Sequence, residues 1–357
     1  MAGKRLLSLD VMRGITIVGM IVVNNAGGPL SYGSLRHSAW NGLTPCDLVF
    51  PFFLFIMGVT TYLSMSKAGF RPSAPLVGKI LKRSILIILV GWALQWFGMV
   101  CKGNPWDFAH LRLSGVLPRI GLCFGIVSLM SVFMSRRAMA WTAVALLAVY
   151  TVLVCAFNGY ACDASNFNAV FDRLVLGEGH IYHKSPVDPE GLAGTISAVA
   201  HTIIGFCCGA IVKSERPMAE RTTALFAVGF ALMASGFLLV EWMPLNKRIW
   251  SPTYVLVTTG LAAMLLAALI YVIDMRGRRR WSVFFESFGV NPLFLYVLSE
   301  ILAVLMGRFG NKPAVYEVLL SLTGNPYVAS AVYAVAFMLI VGAVGWPLYR
   351  RKIYIKL

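Results

Sequence analysis

A polar loop passes directly into a long apolar run in the stretch RHSAWNGLTPCDLVFPFFLFIMGV, Arg36–Val59. From Val49 onward the residues are apolar on every side, as in a membrane-spanning helix rather than an amphipathic helix of a soluble protein. Just ahead of that run lie His37, Asn41 and Asp47. Ionisable groups at membrane depth are costly and by default mark function. The stretch therefore predicts a membrane helix whose entry carries a polar, titratable cluster.

The whole chain repeats this apolar pattern. It has 357 residues, of which 58% are hydrophobic and 13% are charged, whereas a soluble globular chain has about 25% charged residues. Apolar runs of about 20 residues, the length that crosses a hydrocarbon core, recur from end to end. The sequence therefore predicts an all-α, polytopic membrane bundle of about ten transmembrane helices that forms a single domain over 1–357. The predicted spans are 6–26, 45–66, 80–100, 113–134, 138–157, 192–212, 221–241, 252–273, 282–305 and 327–348.

The positive charge is distributed unevenly between the two sides of this bundle. A net charge of +16 by itself suits a nucleic-acid partner, but its placement argues against one. The segments between the predicted spans fall alternately into two sets, and the first set starts with the N-terminal segment. The first set holds 20 Lys and Arg residues, and the second set holds 9. The positive-inside rule places the richer set, and with it both termini, in the cytosol. The charge is thus assigned to topology and to the lipid bilayer, and no nucleic-acid partner is expected.

One connection, about 157–191, is long and falls on the predicted outer side. Its glycine, aromatic and charged residues indicate a folded outer cap rather than a disordered linker. The remaining connections are short and contain no Walker-type glycine-rich loop, so nucleotide-driven transport by this chain is not expected. No internal repeat typical of secondary transporters is visible either.

The polar residues near the predicted span ends also have structural interpretations. His37 could be an ordinary interfacial histidine, and Asp47, after Thr44, could cap the N-terminus of span two. Asp10 and Arg13 are three residues apart, which predicts an ion pair on one helix face. Spacing alone therefore predicts an outer polar pocket over a hydrophobic body, but no reaction.

Several longer blocks resemble the heparan-α-glucosaminide N-acetyltransferase family, and they follow one another in the family's order. The blocks are RLLSLDVMRGITIVGMIVVNNAGG, HSAWNGLTPCDLVFPFFLFIMGV, LPRIGL, FDRLVLGEGHIY, DPEGLAGTISA, NKRIWSPTYVLVTTG and FGVNPLFLYVLSE. The second block is long and specific. The resemblance runs from about residue 5 to about residue 300 and so covers most of the chain.

The resemblance implies transmembrane acetyl transfer, from cytosolic acetyl-CoA to the amine of a glucosamine-type sugar on the other side. The family's active-site histidine corresponds to His37, and a functional asparagine corresponds to Asn24. A histidine suits removal of a proton from the amine, and Asp47 could orient its ring. Asn24 or Asn25 could donate to the thioester oxygen. The sequence leaves open whether His37 carries the acetyl group or only takes the proton. No metal is expected.

Two further groups of residues are expected to hold the substrates. The polar residues of the outer side are assigned to the acceptor sugar, namely Asn25, Trp40, Asn41, Asp172, Arg173, His180, Asp188, Glu190 and Asn246. Residues within the spans or at their cytosolic ends are assigned to acetyl-CoA, namely Arg119, Ser287, Asn291, Lys79, Lys82, Arg83, Arg278 and Arg279. Asn291–Pro292 can equally be a helix kink, and the positive-inside rule explains the cytosolic basic residues without a ligand.

Other functions and partners stay open at this level. The same base and thioester would serve an O-acetyltransferase of an envelope glycan. A transporter of N-acetylglucosamine-type sugars would need no thioester chemistry. A purely structural role in envelope synthesis would need neither thioester chemistry nor transport. The resemblance implies a homodimer, and the expected location is the bacterial inner membrane. A disulfide among Cys101, Cys155 and Cys162 is possible on the outer side.

Overall fold

The computed structural model describes residues 6–355, so Lys4, Arg5 and Lys356, which entered the charge count, lie outside the described residues. Within that range the chain forms thirteen α-helices and no strand, which confirms the all-α class. The helices are α1 (Leu7–Asn24), α2 (Val49–Lys67), α3 (Ala74–Cys101), α4 (Val116–Phe133), α5 (Arg136–Ala156), α6 (Phe167–Leu176), α7 (Leu192–Lys213), α8 (Met218–Leu238), α9 (Pro252–Leu269), α10 (Val283–Gly289), α11 (Pro292–Arg308), α12 (Asn311–Thr323) and α13 (Pro326–Arg350).

In residues 6–355, nine helical segments are each long and apolar enough to cross a membrane. One bent pair of helices, if counted as a single span, brings the number up to ten. The bent pair is α10 and α11, which differ in direction by 71°. The sequence predicted a span over 282–305 and left open a kink at Asn291–Pro292, and the structure has a break at this point. Pro292 is the reason, because a proline has no N–H to donate and excludes the helical conformation at the preceding residue, Asn291. Asn291 has φ −125° and ψ 55°.

Two helices lie where the sequence analysis described only connections. The amphipathic helix α6 forms within the long connection 157–191, and α12 lies between α11 and α13. Both are shorter than a membrane span, so neither produces a long apolar run in the sequence. The 157–191 connection therefore contains one ten-residue helix and a short 3₁₀ turn, Glu178–His180.

The bundle has an interior layer and a peripheral layer. Most residues of α1, α2, α4, α7 and α9 are buried. In α3, α5 and α8, most residues are at least partly exposed. The exposed faces carry apolar side chains such as Ile85, Val144 and Phe230, as expected of helices that face lipid. Glycines let the interior helices approach closely. A Cβ atom at Gly58 or Gly205 would lie 2.2 and 2.4 Å from a backbone oxygen of the facing helix, in the contact between α2 and α7.

The connections gather into two ends of the bundle. We call one the His37 end; it consists of the connections 25–44, 102–115, 157–191 and 239–251. These connections bond to one another: Gly42 N donates to Leu245 O at 2.7 Å, and Leu113 N donates to His180 O at 3.0 Å. We call the other the arginine-rich end; it consists of 68–73, 134–135, 214–217 and 276–279.

Candidate active site

His37 and Asp47 form a direct pair at the His37 end. The His37 Nδ1 atom lies 2.7 Å from Asp47 Oδ1. The Asp47 side chain is fully buried, whereas 46% of the His37 side chain is exposed. Because a carboxylate only accepts, this contact places a proton on Nδ1 and leaves the lone pair of the neutral ring on Nε2. A ring held in this tautomer and open to solvent can take a proton from an incoming group.

The start of α2 explains why Asp47 is in place. A short 3₁₀ turn, Pro45–Leu48, precedes the helix, with Thr44 as its N-cap residue. Asp47 Oδ2 accepts hydrogen bonds from Thr44 N at 3.1 Å, from Thr44 Oγ1 at 2.9 Å and from Ser38 N at 3.1 Å. The capping role considered from the sequence is thus present. It uses one carboxylate oxygen, and His37 occupies the other.

Lys247 completes this cluster, and the sequence analysis did not select it as a site residue. With the proton on Nδ1, the Lys247 ammonium can donate only to His37 Nε2, at 3.2 Å. Its Nζ atom also lies 2.9 Å from His37 Nδ1 and 3.7 Å from Asp47 Oδ1. Burial lowers the pKa of Lys247 below its ordinary value, and the carboxylates of Asp47 and Glu190 oppose that shift. The Cys46 thiol lies 3.1 Å from His37 Nδ1. The sequence did offer a signal for Lys247, because this residue directly follows Asn246 in the block NKRIWSPTYVLVTTG, one of those that resemble the family.

Asn246 and Asn41, both assigned to the acceptor, shape the loop that presents Lys247. Asn246 Oδ1 accepts from the backbone N–H groups of Arg248 and Ile249, at 2.9 and 3.2 Å. Its Nδ2 donates to Asn41 Oδ1 at 3.0 Å. These contacts tie the connection 239–251 to the loop that carries His37. Asn246 is fully buried, so its observed contacts are architectural.

The predicted acceptor residues of the 157–191 connection are also engaged with the protein. Arg112 donates to Asp188 at 2.5 Å and to Glu190 at 2.7 Å. Burial acts to raise the pKa of Asp188, but Arg112 and neighbouring donors hold it below its usual value. The remaining contacts are Asp172 with Ala193 N at 3.0 Å, His180 with Leu111 O at 2.7 Å, Arg173 with Ala164 O, and Trp40 with Tyr160 O at 2.9 Å.

A cleft of about 1210 Å³ opens beside this cluster. Asn24 and Asn25 line it together with Arg112, Tyr296 and Glu300, whereas His37 is absent from its lining. Asn25 Nδ2 turns back to the Ile21 carbonyl at 2.8 Å. Asn24 Nδ2 faces Glu300 Oε1 at 3.5 Å. Arg112 lines the cleft and binds Glu190, whose charge acts on Lys247, so this pair connects the cleft with the His37–Asp47–Lys247 cluster.

The residues assigned to acetyl-CoA do not form one site. Arg119 is buried near the His37 end, where it donates to the carbonyls of Pro189 and Gly191 at 2.8 and 2.7 Å. Ser287 donates to Phe284 O at 2.7 Å, and Asn291 bonds to the backbone of Ile353 and Ile355 at 2.8 Å. The exposed basic residues towards the arginine-rich end are Lys79, Lys82, Arg83, Arg278 and Arg279.

All seven cysteines are free, so no disulfide joins Cys101, Cys155 and Cys162 in this structure. In the described part of the chain, no group of three or more His, Cys, Asp or Glu side chains is arranged to hold a metal ion. The site presents an imidazole, carboxylates, amides and an amine.

Comparison with known proteins shows which sequences this chain resembles. Residues 5–171, which include His37 and Asp47, match the model described as heparan-alpha-glucosaminide N-acetyltransferase, catalytic. The mouse protein named heparan-alpha-glucosaminide N-acetyltransferase is 28% identical over 84% of this chain and 54% of its own length. The human protein of that name is 27% identical over 99% of this chain and 60% of its own length. The chain thus spans little more than half the length of these curated relatives. It is a multi-pass membrane protein whose sequence is similar to the heparan-α-glucosaminide N-acetyltransferase family.

Proposed function

We propose that this protein transfers an acetyl group from acetyl-CoA to the amine of a glucosamine-type sugar across a membrane. The observation that carries the proposal is the His37–Asp47 pair, a half-exposed imidazole held in one tautomer by a buried carboxylate. The pair lies within the part of the chain that matches the catalytic family model. The names of the relatives supply the acceptor class.

The proposed chemistry starts with the acceptor amine, which must be neutral to attack a thioester. His37 Nε2 takes the proton, and Asp47 stabilises the imidazolium that results. As the amide C–N bond forms, the C–S bond of the thioester breaks, and the imidazolium returns the proton to the CoA thiolate that leaves. If His37 instead carries the acetyl group, the same nitrogen is the nucleophile. Asn24 is the proposed donor to the thioester oxygen, a role worth roughly 3 kcal/mol of barrier. The Lys247 amine lies near the imidazole and can turn towards negative charge that develops there.

The proposed mechanism uses both ends of the bundle. The His37 end faces the outer compartment, and the arginine-rich end faces the cytosol, following the positive-inside rule. Acetyl-CoA enters from the cytosol, with Lys79, Lys82, Arg83, Arg278 and Arg279 as the residues that would hold its phosphates. The proposed location is the inner membrane of a bacterium.

Acetyl transfer in proteoliposomes tests this function directly. Labelled acetyl-CoA is supplied on one side and glucosamine on the other, and labelled N-acetyl product is measured. We expect His37→Ala to lower the rate about 1000-fold, because it removes the base, and Asp47→Asn about 100-fold, because it removes the carboxylate that fixes the tautomer and stabilises the imidazolium. His183→Ala, at an exposed histidine of the same bundle end, serves as the control and should retain the wild-type rate.

Other products would identify other functions. An alkali-labile acetyl ester would indicate O-acetylation of a glycan. Sugar counter-flow without transfer of label would indicate a transporter. Wild-type transfer by His37→Ala would contradict the proposed base.

A further inference from the structure

Glu300 is an acidic residue within a membrane-crossing segment. It lies in α11 about 12 Å before the end of that helix at Arg308, given a rise of about 1.5 Å per residue. Its carboxylate opens into the cleft of about 1210 Å³ at the His37 end. A charge at such a depth is costly unless it has a partner, and it is therefore retained where it has a function.

The partners that surround Glu300 are neutral. Asn24 Nδ2 lies 3.5 Å away, and the Tyr296 hydroxyl lies beside the carboxylate. Across residues 6–355, no Lys, Arg or His side chain forms an ion pair with Glu300. The other acids near the site differ in this respect, because Asp47 has Lys247 within 3.7 Å and Glu190 has Arg112 within 2.7 Å.

We infer that the Glu300 carboxylate receives the ammonium group of the acceptor sugar in the cleft. This inference rests on the proposed function, since it takes an amino sugar as the acceptor. The cleft is also lined by basic side chains, but none of them forms an ion pair with Glu300 in residues 6–355; they are Lys102, His110, Arg112, Lys184 and Arg308. An amino sugar brings a cation to this carboxylate, and a charge-assisted hydrogen bond to a carboxylate is stronger than a neutral one. Gln95 and Tyr296 also line the cleft and offer amide and hydroxyl groups to sugar hydroxyls.

The same contact gives a physical basis for turnover. Acetylation converts the ammonium into a neutral amide, so the product loses its ion pair with Glu300 while its other contacts stay. A residue that binds the substrate by its charge therefore releases the product. Glu300 is thus a specificity-determining residue for an amine over a hydroxyl at the acceptor position.

The test compares Glu300→Gln with wild type in two measurements. Steady-state transfer to glucosamine gives KM and kcat, and direct binding of glucosamine and of glucose to purified protein gives a preference that needs no transfer. We expect Glu300→Gln to raise KM about tenfold, as for loss of a charge-assisted contact, with kcat within about threefold of wild type. The preference for glucosamine over glucose should fall close to one.

Glu317→Gln is the matched control, because Glu317 is an exposed glutamate of the neighbouring helix α12. It should leave both measurements at wild-type values. Unchanged KM and preference in Glu300→Gln would overturn the inference. So would a fall in kcat and thermal stability with the preference intact, which would show a structural role.

The two proposals fail separately in this design. If wild type binds glucosamine in preference to glucose but transfers no acetyl group, the proposed function fails and the binding role of Glu300 is still decided by the variant. If transfer occurs with the same KM in Glu300→Gln, the function stands and the role of Glu300 is wrong. If wild type shows no preference for the amine, the ammonium site does not exist.

Discussion

Asp47 lies where the loop after α1 enters α2, and each of its carboxylate oxygens has its own donors. Oδ2 accepts from Thr44 and Ser38, which fixes the loop, while Oδ1 faces His37 and Lys247. The capping and catalytic interpretations, which the sequence analysis weighed against each other, are therefore compatible. One buried side chain sets both the start of the helix and the orientation of the imidazole.

Asp172 is also a buried acid, but it has fewer hydrogen-bond donors around it than Asp47 has. Its side chain has one partner for Oδ1, Ala193 N, while Oδ2 has none. Burial raises its pKa from 3.8 to about 6. A carboxyl group with a raised folded-state pKa binds more protons in the folded than in the unfolded protein between pH 3.8 and about 6. Its ionisation therefore weakens the fold as the pH rises through that range.

Asp172→Asn should remove this pH dependence. Relative to wild type, the variant should gain roughly 3 kcal/mol of unfolding free energy between pH 4 and pH 7, which corresponds to the shift of the pKa. The measurement is the difference in melting temperature between the two proteins in detergent at several pH values. A difference that stays constant with pH would contradict the raised pKa, whatever the absolute stability of the variant.

At the scale of helices, glycines decide how closely the interior layer packs. A Cβ atom at Gly14 of α1 would lie 1.8 Å from Phe285 O, and one at Gly289 of α10 would lie 1.8 Å from Asp10 O. The short helix α10 therefore rests directly on the backbone of α1. Since α11 starts after the break at Asn291, this contact also sets the position from which Glu300 reaches the cleft.

Gly14→Ala should therefore destabilise the protein by about 2 kcal/mol or more, because the two backbones must separate. Gly78→Ala is the matched control, since a Cβ at this exposed helical glycine of α3 meets open space. There, alanine should be neutral or stabilising by up to about 1 kcal/mol, because it favours the helix. Melting temperatures in detergent decide the matter, and equal effects of the two changes would contradict the close contact.

At the scale of the whole molecule, the two ends differ in charge and in chemistry. The His37 end carries the imidazole, the Arg112 network and the mouth of the cleft. The arginine-rich end carries exposed lysines and arginines such as Lys79 and Arg278. The proposed reaction requires these two ends to face different aqueous compartments.

Cysteine labelling tests this arrangement. Cys162 is exposed in the connection 157–191, so a membrane-impermeant maleimide should label it in intact cells. In a chain with Cys101, Cys155 and Cys162 replaced by alanine, Lys79→Cys should react only after the membrane is permeabilised. The triple alanine chain alone gives the background. Labelling of Lys79→Cys in intact cells would contradict the proposed sidedness.

Much of this architecture could be predicted because it depends on local properties of the chain. Apolar runs of sufficient length specify membrane helices wherever they occur, and the pair of Asp10 and Arg13, at 3.1 Å, follows from helical spacing alone. The same local reasoning missed α6 and α12, which are too short to give that signal. Long-range contacts were not predictable in this way: Arg119 donates to the carbonyls of Pro189 and Gly191, and Asn291 bonds to the backbone of Ile353 and Ile355.

The sequence by itself determined that this chain forms an all-helical membrane bundle with about ten crossings, and the family resemblance selected His37 as the residue to examine. Only the tertiary structure decided what stands beside it. Lys247 contacts His37, which is 210 residues away in the sequence, and Glu300 faces Asn24, which is 276 residues away. Such contacts depend on where helices break and how closely glycines let them cross, and these are properties of the packed bundle rather than of any short segment.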